Sequence, residues 1–257
     1  MLNKPQHKEQ AIAPGIVCVG LGPGDPELMS VKADRLVRNA RHVAFFRKKG
    51  RPGKARQLVE GLLHSQAHEY AMEYPVTTEI PVDSPEYVQL LSRFYDDWCL
   101  RLAELAQQEQ VIVLCEGDPF LYGSFMHLYT RLRERGDVAL QVVPGIPGMV
   151  GCWHATGQPI TWGDDVLSVM TGTLSEDEMV RRMDTAEALV VMKVGRNLPR
   201  IRRALARAGR LEAAWLVQNG STASEQVARL TEVSDEACPY FAIVLVHGQG
   251  RRPEAAW

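Results

Sequence analysis

No apolar run in these 257 residues approaches the ~20 residues that a membrane-spanning helix needs. The opening segment, Met1 to Gln10, is polar and lacks the apolar core of a secretory leader. Neither sign of charge is in excess: 29 Lys and Arg stand against 31 Asp and Glu, a net charge of −2. That balance gives no global attraction to nucleic acid or to an anionic membrane. The five cysteines, Cys18, Cys99, Cys115, Cys152 and Cys238, include no C-x-x-C pair. An odd number without ligand spacing reads as reduced, mostly buried thiols rather than disulfides or a zinc site. His64 and His68 are spaced to share a helix face, but no third ligand follows at a recognisable interval, so no metal site is expected. With 46% hydrophobic and 23% charged residues, the chain is expected to be a cytoplasmic enzyme or binding protein of one large or two ordinary domains.

What is present is organised around Val17 to Leu28. A short apolar run, Ile16 to Val19, enters Gly20-Leu21-Gly22-Pro23-Gly24-Asp25-Pro26, with three glycines and two prolines in seven residues. Ser30 suits the N-cap of a helix whose apolar face is Ala33, Leu36, Val37 and Ala40. A strand, a glycine loop and a helix invite a dinucleotide reading, which needs G-x-G-x-x-G and a later acidic residue. The position of the third glycine is Asp25, whose charge opposes a pyrophosphate. Pro23 and Pro26 each lack the N–H a phosphate wants, and the next strand, Val43 to Phe46, runs into Arg47 instead of a carboxylate. The absence of Gly-Lys-Ser/Thr excludes a P-loop. The loop is then a structural turn, or a place where backbone approaches another ligand because side chains are missing.

The stretch Arg47 to Arg56 holds six basic residues, no acid and three chain breakers. It reads as a solvated loop, or as a clamp on a small polycarboxylate or polyphosphate in preference to nucleic acid. A long helix from Ser84 carries Tyr87, Leu90, Leu91, Phe94, Trp98, Leu102 and Leu105 on one face, an aromatic stripe best read as core. Val111 to Cys115 has the β-branched composition of a buried parallel strand. At its carboxyl end stands Glu116-Gly117-Asp118-Pro119-Phe120-Leu121-Tyr122-Gly123-Ser124, and open α/β sheets bind ligands there. A helix through Phe125, Leu128, Tyr129 and Leu132, a strand Val138 to Val143, and a third turn, Pro144-Gly145-Ile146-Pro147-Gly148, follow. Strands at Val166 to Met170, Leu189 to Met192, Ala213 to Val217 and Phe241 to Val246 restart the alternation, with helices at Ser175 to Met183 and Leu198 to Ala208. The expected fold is α/β, two α/β domains with a cleft between them, over residues 14–143 and 148–248, with tails at 1–13 and 249–257.

Three loops now carry a resemblance. Val-Gly-Leu-Gly-Pro-Gly-Asp-Pro-Glu-Leu at 19–28, Glu-Gly-Asp-Pro-Phe at 116–120 and Val-Pro-Gly-Ile at 143–146 resemble, in that order, the motifs of the tetrapyrrole (corrin/porphyrin) methylase family. These are the S-adenosylmethionine-dependent enzymes of corrin and sirohaem synthesis, and the likeness runs from about Gly15 to Val246. Phe45-Phe46, Tyr74-Pro75-Val76-Thr77-Thr78-Glu79, Tyr122-Gly123-Ser124 and Val191 to Pro199 are similar to the family's precorrin-2 C-20-methyltransferases. Ser124 stands where the uroporphyrinogen-III methylases carry an arginine. Gln218-Asn219-Gly220-Ser221-Thr222 departs from the Glu-Arg-Ala-Thr of the C-20 enzymes and looks like the Asn-Gly-Thr of other members.

The resemblance implies methyl transfer from a sulfonium donor to an electron-rich ring carbon. Holding the two in line supplies ~7–11 kcal/mol without a covalent intermediate, and some group must take up the displaced proton. It implies that the donor, S-adenosyl-L-methionine, touches Pro23, Glu116, Gly117, Asp118, Leu121, Pro147, Gly148, Met192, Gly220 and Ala242. The tetrapyrrole polycarboxylate falls to Arg47, Lys48, Lys49 and Arg51, with Asp25 facing the macrocycle. Asp118, Tyr122 and Glu116 are the candidates for proton transfer; Asp118 also suits a plain turn before Pro119, and Glu116 a helix cap. The implied reaction is C-20 methylation of precorrin-2 to precorrin-3A in cobalamin biosynthesis, by a homodimer that needs no nucleic acid, membrane or protein-bound metal. A cobalt-loaded substrate, another ring carbon, or a donor-binding protein without turnover remain as alternatives.

Overall fold

The computed structural model describes residues 13–77, 79–81, 84–234, 238–239 and 241–251. Most of the expected N-terminal tail, the end of the expected C-terminal tail and Thr78 of the Tyr74 to Glu79 motif lie outside them. The described chain separates into two compact units: one comprises the residues through Gly22 with Pro26–Ile146, the other Pro23–Asp25 with Pro147 onward.

In the first unit, the apolar run becomes β1 (Gly15–Gly20), with every residue buried. It is joined by β2 (His42–Lys48), β3 (His68–Tyr74), β4 (Gln110–Cys115) and β5 (Leu140–Val143). All pairings are parallel, in the order β3-β2-β4-β1-β5. Alternation along the strands then divides the core. Val17, Val19, Val43, Phe45, Ile112 and Leu114 pack under α1 (Val31–Asn39) and α2 (Lys54–Leu58). Ile16, Cys18, Val111, Val113 and Cys115 pack under α3 (Pro85–Ala106) and α4 (Phe125–Arg135). Ser30 and Ser84 cap α1 and α3 by accepting the N–H groups of Ala33 and Tyr87, at 3.1 and 3.2 Å. Gly136 ends α4 in the left-handed region.

The second unit contains α5 (Gly148–Ala155), β6 (Leu167–Thr171), α6 (Glu176–Met183), β7 (Ala188–Met192), α7 (Leu198–Arg207), β8 (Ala214–Gln218), β9 (Gln226–Arg229) and β10 (Ala242–Val246). The order is β6-β7-β10-β8-β9. Only β6 and β7 are parallel to one another; β10 runs antiparallel to both β7 and β8, and β9 folds back on β8 as a hairpin. The strict strand–helix alternation read from the second half therefore breaks after α7. Helices α6 and α7 cover one face, over Leu189, Val191, Leu216 and Val244, and α5 covers the other, over Val190, Val217 and Leu245.

His64 and His68 do not share a helix. His68 opens β3 beside His42 of β2, and His64 lies in the preceding turn. All five cysteines are free thiols, four of them buried. Among the described residues, no group of His, Cys, Asp and Glu is arranged to hold a metal ion and no helix is long and apolar enough to cross a membrane.

The chain end is tied down as far as it is described. Gly248 N–H donates to the Ile160 carbonyl at 3.0 Å, and Asp165 accepts from the Trp162 and Gly250 N–H groups at 2.8 and 3.2 Å. Beside this clasp, His247 is buried with Nδ1 at 3.0 Å from the Pro159 carbonyl and Nε2 at 3.0 Å from the Thr156 hydroxyl. Burial lowers its pKa below that of an exposed imidazole. The unfolded chain, with its imidazole near pKa ~6.5, therefore takes up the proton first as pH falls. Urea midpoints are expected to decline as pH drops below ~6.5, until the folded imidazole also protonates, and His247→Gln is expected to flatten that decline.

Candidate active site

Adjacent parallel strands end side by side, so the loops that leave β1 and β4 start together, with Gly20 level with Cys115. Leu21 N–H donates to the Cys115 carbonyl at 2.9 Å and Gly117 N–H to the Gly22 carbonyl at 2.8 Å. The third loop fits into the same knot at van der Waals limits. A Cβ on Gly20 would lie 2.5 Å from the Gly145 nitrogen, and one on Gly145 would lie 2.2 Å from the Gly117 carbonyl oxygen. Glycine is required here because three backbones occupy the space of side chains.

Asp118 closes the knot. Its Oδ1 accepts the Phe120 N–H at 2.9 Å and its Oδ2 accepts the Gly145 N–H at 3.1 Å, so one carboxylate joins the second loop to the third. Leu121 N–H donates to the Asp118 carbonyl at 3.2 Å, continuing the turn. Tyr122 follows with φ 55°, in the left-handed region that a tyrosine adopts only under constraint, and it is exposed. Glu116 turns the other way and accepts the Ala55 N–H at 2.9 Å, at the start of α2. Desolvation raises its carboxyl pKa, with the Ala55 bond and Lys54 opposing that rise.

The basic stretch leads from β2 into α2. Arg47 pairs with Glu73 at 2.6 Å and Lys48 with Glu79 at 2.5 Å. Arg56 makes a two-pronged contact to Glu69, at 2.6 and 3.0 Å. Lys49 and Arg51 are exposed on the loop. Much of the positive charge legible in the sequence is thus matched by acids of β3 and its following turn.

The second unit gathers another set at one edge of its sheet. Met192 ends β7, Gln218 ends β8, and the antiparallel β10 begins there with Ala242 paired to Gln218. The turn after β8 holds Gly220 against α5, where an added Cβ would lie 2.7 Å from Cys152 Sγ. A Cβ on Gly151 would meet Ser221 Oγ at 2.3 Å and Pro23 at 2.8 Å, and one on Gly24 would meet Thr222 at 2.7 Å. The tip of the first glycine loop, Pro23 to Asp25, is thereby packed into this unit. Burial pushes the Cys152 thiol up to about 12. Pro147 and Gly148 begin α5; no side chain caps its first turn, and the space where Gly148 would carry a Cβ is open for 4 Å.

The structure thus assembles the implied donor residues in two sets: Glu116, Gly117, Asp118 and Leu121 in the first unit, and Pro23, Pro147, Gly148, Met192, Gly220 and Ala242 in the second. Lys193, Asn219 and Ser221, read in the sequence only as members of longer motifs and given no role of their own, have φ of 54°, 51° and 59° and flank Met192 and Gly220. The Asn219-Gly220 dipeptide was the available signal, since Asn-Gly marks a turn that leaves the right-handed region. Nothing local signals that Asp118 reaches Gly145, 27 residues on.

The family model Tetrapyrrole (Corrin/Porphyrin) Methylases matches residues 15–234. The chain belongs to that family. This tetrapyrrole methylase is 48% identical over 239 residues to a precorrin-2 C(20)-methyltransferase of Sinorhizobium sp, covering 93% of this chain and 97% of the relative. It is 40% identical over 235 residues to the cobalamin biosynthesis protein CobIJ of Mycobacterium bovis, spanning 91% of itself and 46% of that longer protein. Among solved structures, it resembles a uroporphyrin-III C-methyltransferase from Thermus thermophilus complexed with S-adenosyl homocysteine, with TM-score 0.64, 25% identity and coverage of 91% and 97% of the two chains.

Asp118→Ala is expected to leave the Phe120 and Gly145 N–H groups without their acceptor. Each orphaned amide costs ~1–3 kcal/mol where water cannot replace the bond. A fall of about 2 kcal/mol in unfolding free energy by urea titration is the expected outcome, and an unchanged midpoint would show that the clasp contributes nothing.

Proposed function

We propose that this tetrapyrrole methylase is an S-adenosylmethionine-dependent C-methyltransferase that acts on C-20 of precorrin-2 to give precorrin-3A in cobalamin biosynthesis. The observation that carries the reading is the 48% identity, over nearly the full length of both chains, to a protein named for that reaction. The interlocked loops support it, because Gly20 and Gly145 serve close backbone approaches that a side chain would break.

The second unit suits the donor. The uncapped first turn of α5 and the open space at Gly148 leave backbone donors accessible to ribose hydroxyls or a carboxylate. Met192 would offer apolar surface to the adenine, and Pro23, Pro147, Gly220 and the buried Ala242 would supply close-packed backbone. When bound, the donor supplies an electrophilic methyl group on a sulfonium. The protein's own contribution is position, because the ring carbon is already nucleophilic.

In the first unit, Glu116, Gly117, Asp118 and Leu121 would offer backbone to the donor, with Asp118 as the brace. Glu116 is committed to α2 and Asp118 to two amides. Tyr122, exposed on the same loop, is therefore the group we assign to the proton leaving C-20. Its hydroxyl would pass that proton to solvent in preference to storing it. Lys49 and Arg51 would take substrate carboxylates directly, whereas Arg47 and Lys48 must share theirs with Glu73 and Glu79. Asp25 would face the macrocycle. The working assembly we propose is a homodimer in the cytoplasm, which light scattering and cell fractionation would test.

Incubation with precorrin-2 and methyl-labelled donor, followed by NMR of the product, tests the function. Label at C-20 is expected; donor binding without transfer, or label at another carbon, would overturn the reading. Running cobalt-loaded substrate in parallel identifies which form is used. Lys49→Ala with Arg51→Ala is expected to raise KM for the tetrapyrrole about fivefold, the equivalent of about 1 kcal/mol. Donor affinity by calorimetry should stay constant, and an equal loss of both would make the basic loop structural.

A further inference from the structure

Ser124 occupies the N-cap position of α4 without acting as a cap. Ser30, Ser84 and Ser175 all accept an N–H from the first turn of their helices. Ser124 has the helical angles φ −64° and ψ −26° and makes no such bond. Its hydroxyl instead accepts the hydroxyl of Tyr74 in a short hydrogen bond. The Tyr95 hydroxyl lies beside both. Tyr74 is the last residue of β3, Tyr95 is buried in α3, and Ser124 ends the loop after β4. Three elements therefore meet at three hydroxyls.

The two rings have little freedom. Tyr74 stacks on Phe46 with ring centroids 5.6 Å apart and lies 5.2 Å from Phe94. Tyr95 is 4.8 Å from the His127 ring and has the Arg131 guanidinium 5.6 Å away over its face. Arg131 is itself fixed by Asp96, at 2.6 Å, and by the Ser92 hydroxyl, at 3.2 Å. The hydroxyl knot is thus anchored in the aromatic core on the α3 side of the sheet.

The loop between Asp118 and Ser124 is held at both ends, by the Asp118 carboxylate at one and by this knot at the other. Between them Gly123 passes so close to Pro119 that an added Cβ would lie 2.8 Å from its carbonyl oxygen. Tyr122 is kept in the left-handed region. A side chain persists in that conformation only where its surroundings over-determine it.

We propose that Ser124, fastened by Tyr74, is a positioning residue for methyl transfer: it fixes the far end of the loop and so fixes where Tyr122 stands. The inference rests on the function proposed above, and it assigns the knot no contact with substrate. It also accounts for a serine at an N-cap position that forgoes capping, since its hydroxyl is used across the fold.

The test uses the full chain with Ser124→Ala, Ser124→Thr and Tyr74→Phe. Hydrogen exchange is followed over residues 117–128, alongside kcat, KM and donor affinity. In Ser124→Ala, the Leu121 and Met126 amides, bonded to the Asp118 and Gly123 carbonyls, are expected to exchange at least tenfold faster. The same variant should lose between tenfold and a hundredfold in kcat, the range that a small misplacement of reacting groups produces. KM and donor affinity should stay within about threefold. Ser124→Thr, which keeps the hydroxyl, should recover both kcat and slow exchange.

Tyr74→Phe keeps the ring on Phe46 and removes only the hydroxyl, so it should reproduce the Ser124→Ala pattern if that variant folds poorly. Unchanged exchange and kcat in Ser124→Ala, a loss of kcat with exchange unmoved, or a threonine no better than alanine would each overturn the proposal. If the unaltered protein transfers no methyl group, the functional reading falls, and the exchange measurements alone still decide whether the hydroxyls hold the loop.

Discussion

One carboxylate braces the first unit's candidate site. Asp118 accepts amides from its own turn and from the loop after β5, and so ties the Gly-Asp-Pro turn to the Pro-Gly-Ile turn at the carboxyl ends of the parallel strands. An ionised acceptor is suited to this because bonds from two N–H groups to a carboxylate are stronger than those to a neutral oxygen. The glycines at 20 and 145 make the arrangement possible by letting three backbones approach where side chains would collide, and Gly117 between them takes a positive φ of 62°. A negative residue and a set of missing side chains thus serve a single purpose: rigid loops at the end of rigid strands.

Rigidity of this kind fits the chemistry. A sulfonium methyl group needs little activation, so the catalyst's work is to present a nucleophilic carbon at the right distance and angle. An Asp whose oxygens are both occupied by amides makes a poor general base and a good brace. A Glu whose carboxyl is desolvated at a helix start is likewise a structural member. The residues with the most evident acid–base chemistry in the sequence, Asp118 and Glu116, are therefore bound into the framework.

Much of this was legible in the sequence. The apolar runs at 16–19, 111–115 and 189–192 became strands because short β-branched stretches between glycine turns have few other uses. The three loops disclosed the family because their spacing follows the order of the strands. Other features left no trace. β3, His-Glu-Tyr-Ala-Met-Glu-Tyr, pairs on one side only and buries Met72 alone, so it shows no apolar signature. The antiparallel course of β10 follows from its insertion between β7 and β8 in the middle of the second sheet, and local pattern does not encode that. The charge of the basic loop was read correctly, but its neutralisation by Glu73 and Glu79 depends on pairing between β2 and β3.

Cys152 gives the packing around Gly220 a chemical meaning. A protein that holds a methylating agent must avoid becoming its own acceptor, and thiolates are the best acceptors it has. With its thiol pushed up to about 12, Cys152 is ionised to only about one part in 10⁵ at neutral pH. Cys152 is buried where it packs against Gly220, and that burial is what raises its pKa. A buried, protonated thiol in that position is a poor nucleophile toward any alkylating agent.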